Sequence, residues 1–371
     1  MNSNSFRHTT PVHKKSRTHN NFIAIAKAIG IISVVVWHSR PPKEIGILLM
    51  FYAVPLFFFT SGYFYKPSQD KDELRTSYLK RFKGLYLPFL KWSLVFLLLH
   101  NIFFHLNIYN GVYGFEGQVS ELYNWKDFIK KGVHIIFKVG DVEQLLGAFW
   151  FIRALLFSSL MVATIQFILR GYVQINRYVA AVLLLGLSFV SLYFHLRVPY
   201  IGSLYILFFS SFFYVVGYCY HKIESDRCYS VIAFIISTVL TGSGLIYFDH
   251  VAGVLENGVE DILPYAIFAI SGTIMVLNIS KRIEHFKVKS FFYYVGNNTM
   301  IILAMYLLAF KVISLIKISY YGIHSERLAE FPVIEQNNNW WWIAYALVGV
   351  GIPLILSKCY NVLIQRLYID S

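Results

Sequence analysis

Lys27 and His38 are the residues of this sequence whose types and spacing point most directly to chemistry. They lie eleven residues apart in the apolar run NFIAIAKAIGIISVVVWH. On a helix that is three turns plus about 20°, so both side chains leave one face, separated by about 16 Å along the axis. A lysine at that depth in an apolar helix costs on the order of 2.5 to 3.5 kcal/mol on insertion scales, so something must offset it. Histidine suits proton abstraction from a hydroxyl near neutral pH, a contribution of about a hundred- to ten-thousand-fold in rate. Lysine and arginine in a water-poor pocket suit phosphate groups. The combination points to acyl transfer from a phosphate-rich carrier to an alcohol. The plainer alternative for His38 is an interfacial histidine at the end of a span.

The elements that must position these residues are membrane helices. Of 371 residues, 57% are hydrophobic and 14% charged, and the mean hydropathy is +0.54. Soluble domains carry about 25% charged residues, so that class is excluded. The composition predicts an all-α integral membrane protein. The stretch 21–66 reads as two spans joined at Pro41 and Pro42, and KPSQDKDELRTSYLKRFKGLY as a charged interfacial connector. Apolar stretches follow near 85–105, 147–169, 178–194, 203–220, 229–248, 262–280, 291–316 and 340–357, giving ten expected spans. Lys and Arg concentrate in 1–21, 66–84, 170–177, 221–228, 281–290 and 358–371, whereas the loop DHVAGVLENGVED has none. Both termini are therefore expected in the cytoplasm. The division is a cytoplasmic polar tail 1–20, a membrane domain 21–358 and a short cytoplasmic tail 359–371. The net charge of +13 is first a topological signature, and no nucleic-acid motif accompanies it.

Four cations, Lys27, Lys91, Arg153 and Lys311, fall inside expected spans, and none of the 20 acids does. Buried charges normally pair, so an anionic ligand is one expected partner; snorkelling or capping of backbone carbonyls is the other. The outside segment 106–146 reads as a lid or as an interfacial helix carrying Trp125 and Phe128. Trp340, Trp341 and Trp342 read as a headgroup anchor or a sugar-stacking surface. Cys219, Cys228 and Cys359 predict no disulfide, and the spacing of His8, His13 and His19 predicts no metal site. No nucleotide-binding, dinucleotide, metalloprotease or serine-hydrolase motif is present.

The segments AKAIGIISVVVWHSRPP and VPLFFFTSGYFYKP, then YLKRFKGLYLPFLKW, AFWFIRALL and VGNNTMIILAMYLLAFKVISLI, resemble the membrane acyltransferase 3 family in order across residues 21–357. That resemblance implies a ten-span bacterial plasma-membrane enzyme that takes an acetyl or other acyl group from cytoplasmic acyl-CoA. It implies delivery to a hydroxyl of an external polysaccharide or lipid-linked glycan, with no permanently bound cofactor. His38 matches the family's essential histidine and Lys27 its basic partner. Trp150 and Arg153 match the WF-led segment, and Arg81 with Lys83 matches a basic pair before the third span. Lys311 is a further candidate for substrate binding. Ser61 is a candidate to orient a hydroxyl or carbonyl, or else packs beside Gly62; Asn297 and Asn298 are expected to cap or line the ninth span. The sequence departs from the family at Ala24, where relatives often carry an aspartate, and at Ala53 and Tyr306, where they often carry histidines. Gly84 stands where a second arginine often ends the basic pair. Two rival functions stay open: a glycan flippase or exporter without covalent chemistry, and an inactive sensor of the same fold.

Overall fold

The computed structural model describes residues 21–369 apart from 116–117, 141–142, 171–176, 251 and 256, with side chains described as far as 362. The expected tail 1–20, with its three histidines, lies outside the described residues. Helix α1, Asn21–His38, is followed at Pro41 and Pro42 by α2, Lys43–Met50, and α3, Pro55–Tyr63. The second expected span is thus two short helices, because the Pro55 ring has no N–H to continue α2 and suits the first turn of α3.

Helix α4, Lys71–Arg81, starts at Asp70, whose carboxylate accepts from the Glu73 N–H at 2.8 Å. It runs through a π turn, Phe82–Tyr86, into α5, Leu87–His105. Pro88 sits at the start of α5 and cannot donate to the preceding turn. The chain widens there, and Leu87 N–H reaches Phe82 O. Beyond a hairpin of β1, Gly114–Phe115, and β2, Gln118–Val119, comes α6, Trp125–Lys138. A capping box between Asn124 and Asp127 begins α6. Trp125, Ile129, Val133 and Phe137 form its exposed apolar stripe, as an interfacial helix requires, whereas Phe128 packs inward.

A 3-10 turn, Gln144–Phe149, leads into α7, Trp150–Leu169. Then come α8, Arg177–Tyr193; a second hairpin of β3, Arg197–Val198, and β4, Gly202–Ser203; and α9, Leu204–Ile223. Helices α10, Val231–Tyr247, and α11, Ile262–Ile283, follow. The expected ninth span is divided into α12, Lys289–Asn297, and α13, Thr299–Tyr321, at Asn298, which has φ −110° and ψ 19°. Helix α14, Trp341–Ile369, carries the chain into the region expected as the second tail.

Among the described residues, eight helical stretches are long and apolar enough to cross a membrane: α1, α2 with α3, α4 with α5, the 3-10 turn with α7, α9, α11, α13 and α14. Helices α8 and α10 are apolar but have 17 residues each. Both expose broad apolar faces, with Val182, Ile232 and Ile246 at 70% or more, as lipid contact demands. The chain is an all-α integral membrane protein.

Helices α3 and α9 cross at a pair of glycine notches. A Cβ on Gly62 would strike the Tyr214 carbonyl, and one on Gly217 the Phe59 carbonyl. This backbone approach, of the kind small residues permit between membrane helices, sets the position of Ser61. Replacing Gly217 by Val is expected to force the crossing apart, costing about 1–3 kcal/mol as core overpacking does. The check is the thermal midpoint of purified protein in detergent, which should fall for Gly217→Val and hold or rise for Gly351→Ala, where a Cβ meets open space within a helix.

Candidate active site

Lys27, Ile31, Val34 and His38, spaced by four, three and four residues, all line one cavity of about 330 Å³. The single α1 face expected from the spacing is therefore the wall of a real space. Its other walls come from the interruptions in neighbouring helices. The α2–α3 break brings Ala53, Val54 and Ser61; the π turn brings Gly84 and Leu85; and the start of α13 brings Thr299 and Leu303. Trp150 and Phe151 enter from α7, and Gly253, Val254 and Leu255 close it from the α10–α11 loop.

His38 is held by its own helix. Its Nδ1 lies 2.8 Å from the Val34 carbonyl oxygen, which can only accept. Nδ1 is therefore protonated and, in the neutral ring, Nε2 carries the lone pair. The ring sits edge-on to Trp37 and Tyr306, with centroids 4.6 and 5.2 Å away. Tyr306 is fully buried and its hydroxyl has no partner among the described residues. Beyond His38 the chain reverses at Arg40, which takes a left-handed φ of 59°. Asn338 holds that reversal by donating to the Ser39 and Arg40 carbonyls at 3.2 Å each.

Lys27 is partly buried, and among the described residues its ammonium makes no hydrogen bond or ion pair. The other basic candidates are placed differently. Lys311 lies outside the cavity, buried, donating to the Leu328 and Glu330 carbonyls at 2.9 and 2.8 Å. Lys317, expected in an outside segment, is fully buried on α13 and donates to Ile334 O at 2.7 Å. These two lysines fasten the loop 325–339 to the bundle. Arg81 donates to the Tyr214 hydroxyl at 2.8 Å, and Lys83 is exposed on the π turn beside Gly84. Lys91 is exposed beside the Trp92 ring.

Trp150 lines the cavity, whereas Arg153, one turn on, lines a smaller adjoining pocket and donates to Tyr200 O at 2.7 Å. Ser61 lines the cavity and makes no hydrogen bond among the described residues. Asn297 is exposed. Asn298 forms the joint of α12 and α13, donating to Tyr294 O at 2.7 Å and accepting from Ser357 Oγ at 2.6 Å. None of Trp340, Trp341 and Trp342 lines the cavity; Trp341 donates to the Tyr321 hydroxyl.

A match to the family model described as an acyltransferase domain spans residues 20–358. The chain belongs to the acyltransferase 3 family. No curated protein and no solved structure matches it. Ala53 and Tyr306, two positions at which the sequence was expected to depart from the family pattern, fall on the cavity wall and against the His38 ring.

Two polar clamps that the sequence reading missed support loops around the cavity of this family member. His100 and Glu143 are both nearly fully buried and paired at 2.9 Å, while His100 Nε2 faces the Glu121 carbonyl at 2.9 Å. His100 also stacks on Tyr123 at 3.3 Å between centroids. Glu143 immediately precedes the 3-10 turn that delivers Trp150, so the pair fixes that entry. The signal was His100 alone in the apolar run LLLHNIFF. Removing one partner of a buried pair costs about 3–5 kcal/mol. His100→Ala should therefore lower the thermal midpoint markedly, while His100→Ala with Glu143→Ala should recover part of that loss in a double-mutant cycle.

The second clamp holds the loop whose Gly253, Val254 and Leu255 cover the cavity. His250 donates to Asp249 at 3.0 Å and to Asp261 at 3.2 Å. Those bonds, the one to Asp249 first, keep its pKa above the ordinary histidine range. A raised folded pKa means that the clamp is complete below the unfolded value of about 6.5 and is lost as pH rises through the folded one. Deuterium uptake at 253–255 is expected to rise with pH more steeply in wild type than in His250→Gln, once corrected for intrinsic exchange.

Proposed function

We propose that the protein is a bacterial plasma-membrane O-acyltransferase that moves an acetyl or other acyl group from cytoplasmic acyl-CoA to a hydroxyl of an extracytoplasmic polysaccharide or lipid-linked glycan. The observation that carries this reading is one cavity walled at one end by an unpaired lysine and at the other by a histidine with a free Nε2 lone pair. Its volume of about 330 Å³ falls within the range of small-molecule sites.

At the inner end Lys27 meets the first turn of α13, where Thr299 and Met300 line the cavity. A cation beside a helix N-terminus suits a phosphate, so the CoA phosphates dock there, with Lys83 and Arg81 on the neighbouring turn as further cations. The pantetheine arm then follows the α1 stripe of Ile31 and Val34 outward, bringing the thioester to His38. Nε2 takes the proton from the acceptor hydroxyl as its oxygen attacks the thioester carbon. The carbon–sulfur bond breaks, and the imidazolium returns the proton to the CoA sulfur. In the alternative covalent route Nε2 itself attacks and carries the acyl group before the hydroxyl does. Ser61 orients a hydroxyl or the thioester carbonyl, Trp150 packs against the acceptor, and Asn297 and Asn298 support the start of α13. Lys311 acts through the outer loop it holds.

Transfer of label from acetyl-CoA to the producing cell's glycan, in sealed proteoliposomes, tests this. His38→Ala should lower transfer by about a hundred- to ten-thousand-fold. Lys27→Ala should chiefly raise the KM for the donor. Folded wild type that moves no label while unlabelled glycan crosses the membrane would replace this reading by transport. Folded wild type that does neither would favour the sensor.

A further inference from the structure

The pocket adjoining the main cavity, about 110 Å³ in volume, contains an arginine whose hydrogen-bonding capacity the protein leaves incomplete. Arg153 Nη2 donates to the Tyr200 carbonyl at 2.7 Å, which fixes the guanidinium plane. Apart from that bond the guanidinium has no partner among the described residues, no described carboxylate pairs with it, and the side chain lines the pocket. A guanidinium keeps its charge at any physiological pH, and an N–H held from water without an acceptor is costly. A ligand acceptor seated in the pocket would complete its hydrogen bonding.

The rest of the pocket decides what kind of acceptor fits. Ser203 stands at the N-terminus of the 20-residue helix α9 and makes no side-chain capping bond there. The helix end and the guanidinium therefore present positive potential to the same small space. Gly202, at φ +90°, would hold a Cβ 3.6 Å from Arg153 Nη2, so its lack of a side chain leaves that edge open. Phe157, Ile206 and Leu207 make the remaining wall apolar. Trp150 and Leu255 line both this pocket and the main cavity, so the two spaces adjoin and one ligand can extend from one into the other.

We propose that this pocket is a carboxylate subsite and that the acceptor is an acidic glycan, whose carboxylate anchors the sugar ring while a hydroxyl of the same or the next residue meets His38. This rests on the transferase reading above. A single guanidinium matches the one charge and planar fork of a carboxylate, whereas a phosphate monoester brings about −1.5 to −2. Arg153 lies in the first turn of α7, at the end of the bundle that carries His38 and away from Lys27. The group it holds therefore belongs to the acceptor rather than to the CoA donor.

The test uses the full chain in lipid nanodiscs. Saturation-transfer NMR would measure binding of methyl glucuronide, methyl glucoside and glucose 6-phosphate, and KM values would be taken for acidic and neutral oligosaccharide acceptors. Methyl glucuronide should bind about tenfold or more tightly than methyl glucoside. Arg153→Gln should abolish that preference and raise the KM for the acidic acceptor without changing the KM for acetyl-CoA, while Arg153→Lys should restore part of it. Ser203→Asp, which sets a carboxylate into the pocket and keeps a good N-cap, should abolish the preference in a protein whose fold is not at risk. Equal binding of glucoside and glucuronide, an unchanged preference in Arg153→Gln, or tighter binding of glucose 6-phosphate would overturn the proposal. Arg153-dependent glucuronide binding without acyl transfer to any acceptor would sink the transferase reading and leave the carboxylate site standing. Transfer to neutral glycan, undiminished in Arg153→Gln, would do the reverse.

Discussion

A charged ammonium inside a membrane protein needs a partner, and the architecture around Lys27 supplies a space rather than a residue. Elsewhere the bundle satisfies its buried cations internally: Lys311 and Lys317 each find backbone carbonyls of the 325–339 loop. Lys27 instead faces a cavity that continues along α1 to His38. In hydrocarbon an unsatisfied polar group is expensive, so keeping this one open restricts every helix packed against that stripe.

The space exists because three neighbouring helices are interrupted. Pro55 separates α3 from α2, Pro88 forces the π turn ahead of α5, and Asn298 parts α12 from α13. Each interruption frees backbone groups and turns small or polar residues inward: Ala53 and Ser61, Gly84, Thr299. Irregular backbone at membrane depth is tolerated where it lines a cavity or is buried in protein, and here it does the first. The glycine notches between α3 and α9 allow the broken second span to lie close without filling the space.

Polar pairs in the connecting loops hold the segments that line the cavity in register. Asn338 ties the reversal after His38 to the 325–339 loop, and Lys317 reaches the same asparagine at 3.5 Å. His100 with Glu143 sets the entry to α7, from which Trp150 and Arg153 project into adjoining spaces. The residues lining the cavity and its adjoining pocket thus depend on loops that a hydropathy profile treats as connections.

Much of the plan was legible in the sequence because membrane helices announce themselves by composition and length, and a helix face by its period. The all-α membrane class, the shared face of Lys27 and His38, the interfacial helix at Trp125 and the family itself all follow from local order along the chain. Local order did not reveal the split of the expected ninth span: the apolar residues on both sides of VGNNTM are together long enough to cross, and Asn297 and Asn298 read equally as a cap or as part of its lining. Nor could it separate Lys27 from Lys311, two lysines in similar apolar runs: the 325–339 loop folds back to satisfy one, and among the described residues none satisfies the other. The tautomer of His38, the burial of Glu143 and the open guanidinium edge of Arg153 were likewise decided by tertiary structure. Each depends on which carbonyl or carboxylate arrives from a distant segment, and hydrogen bonds of a few ångströms between such segments leave no periodic trace in the sequence.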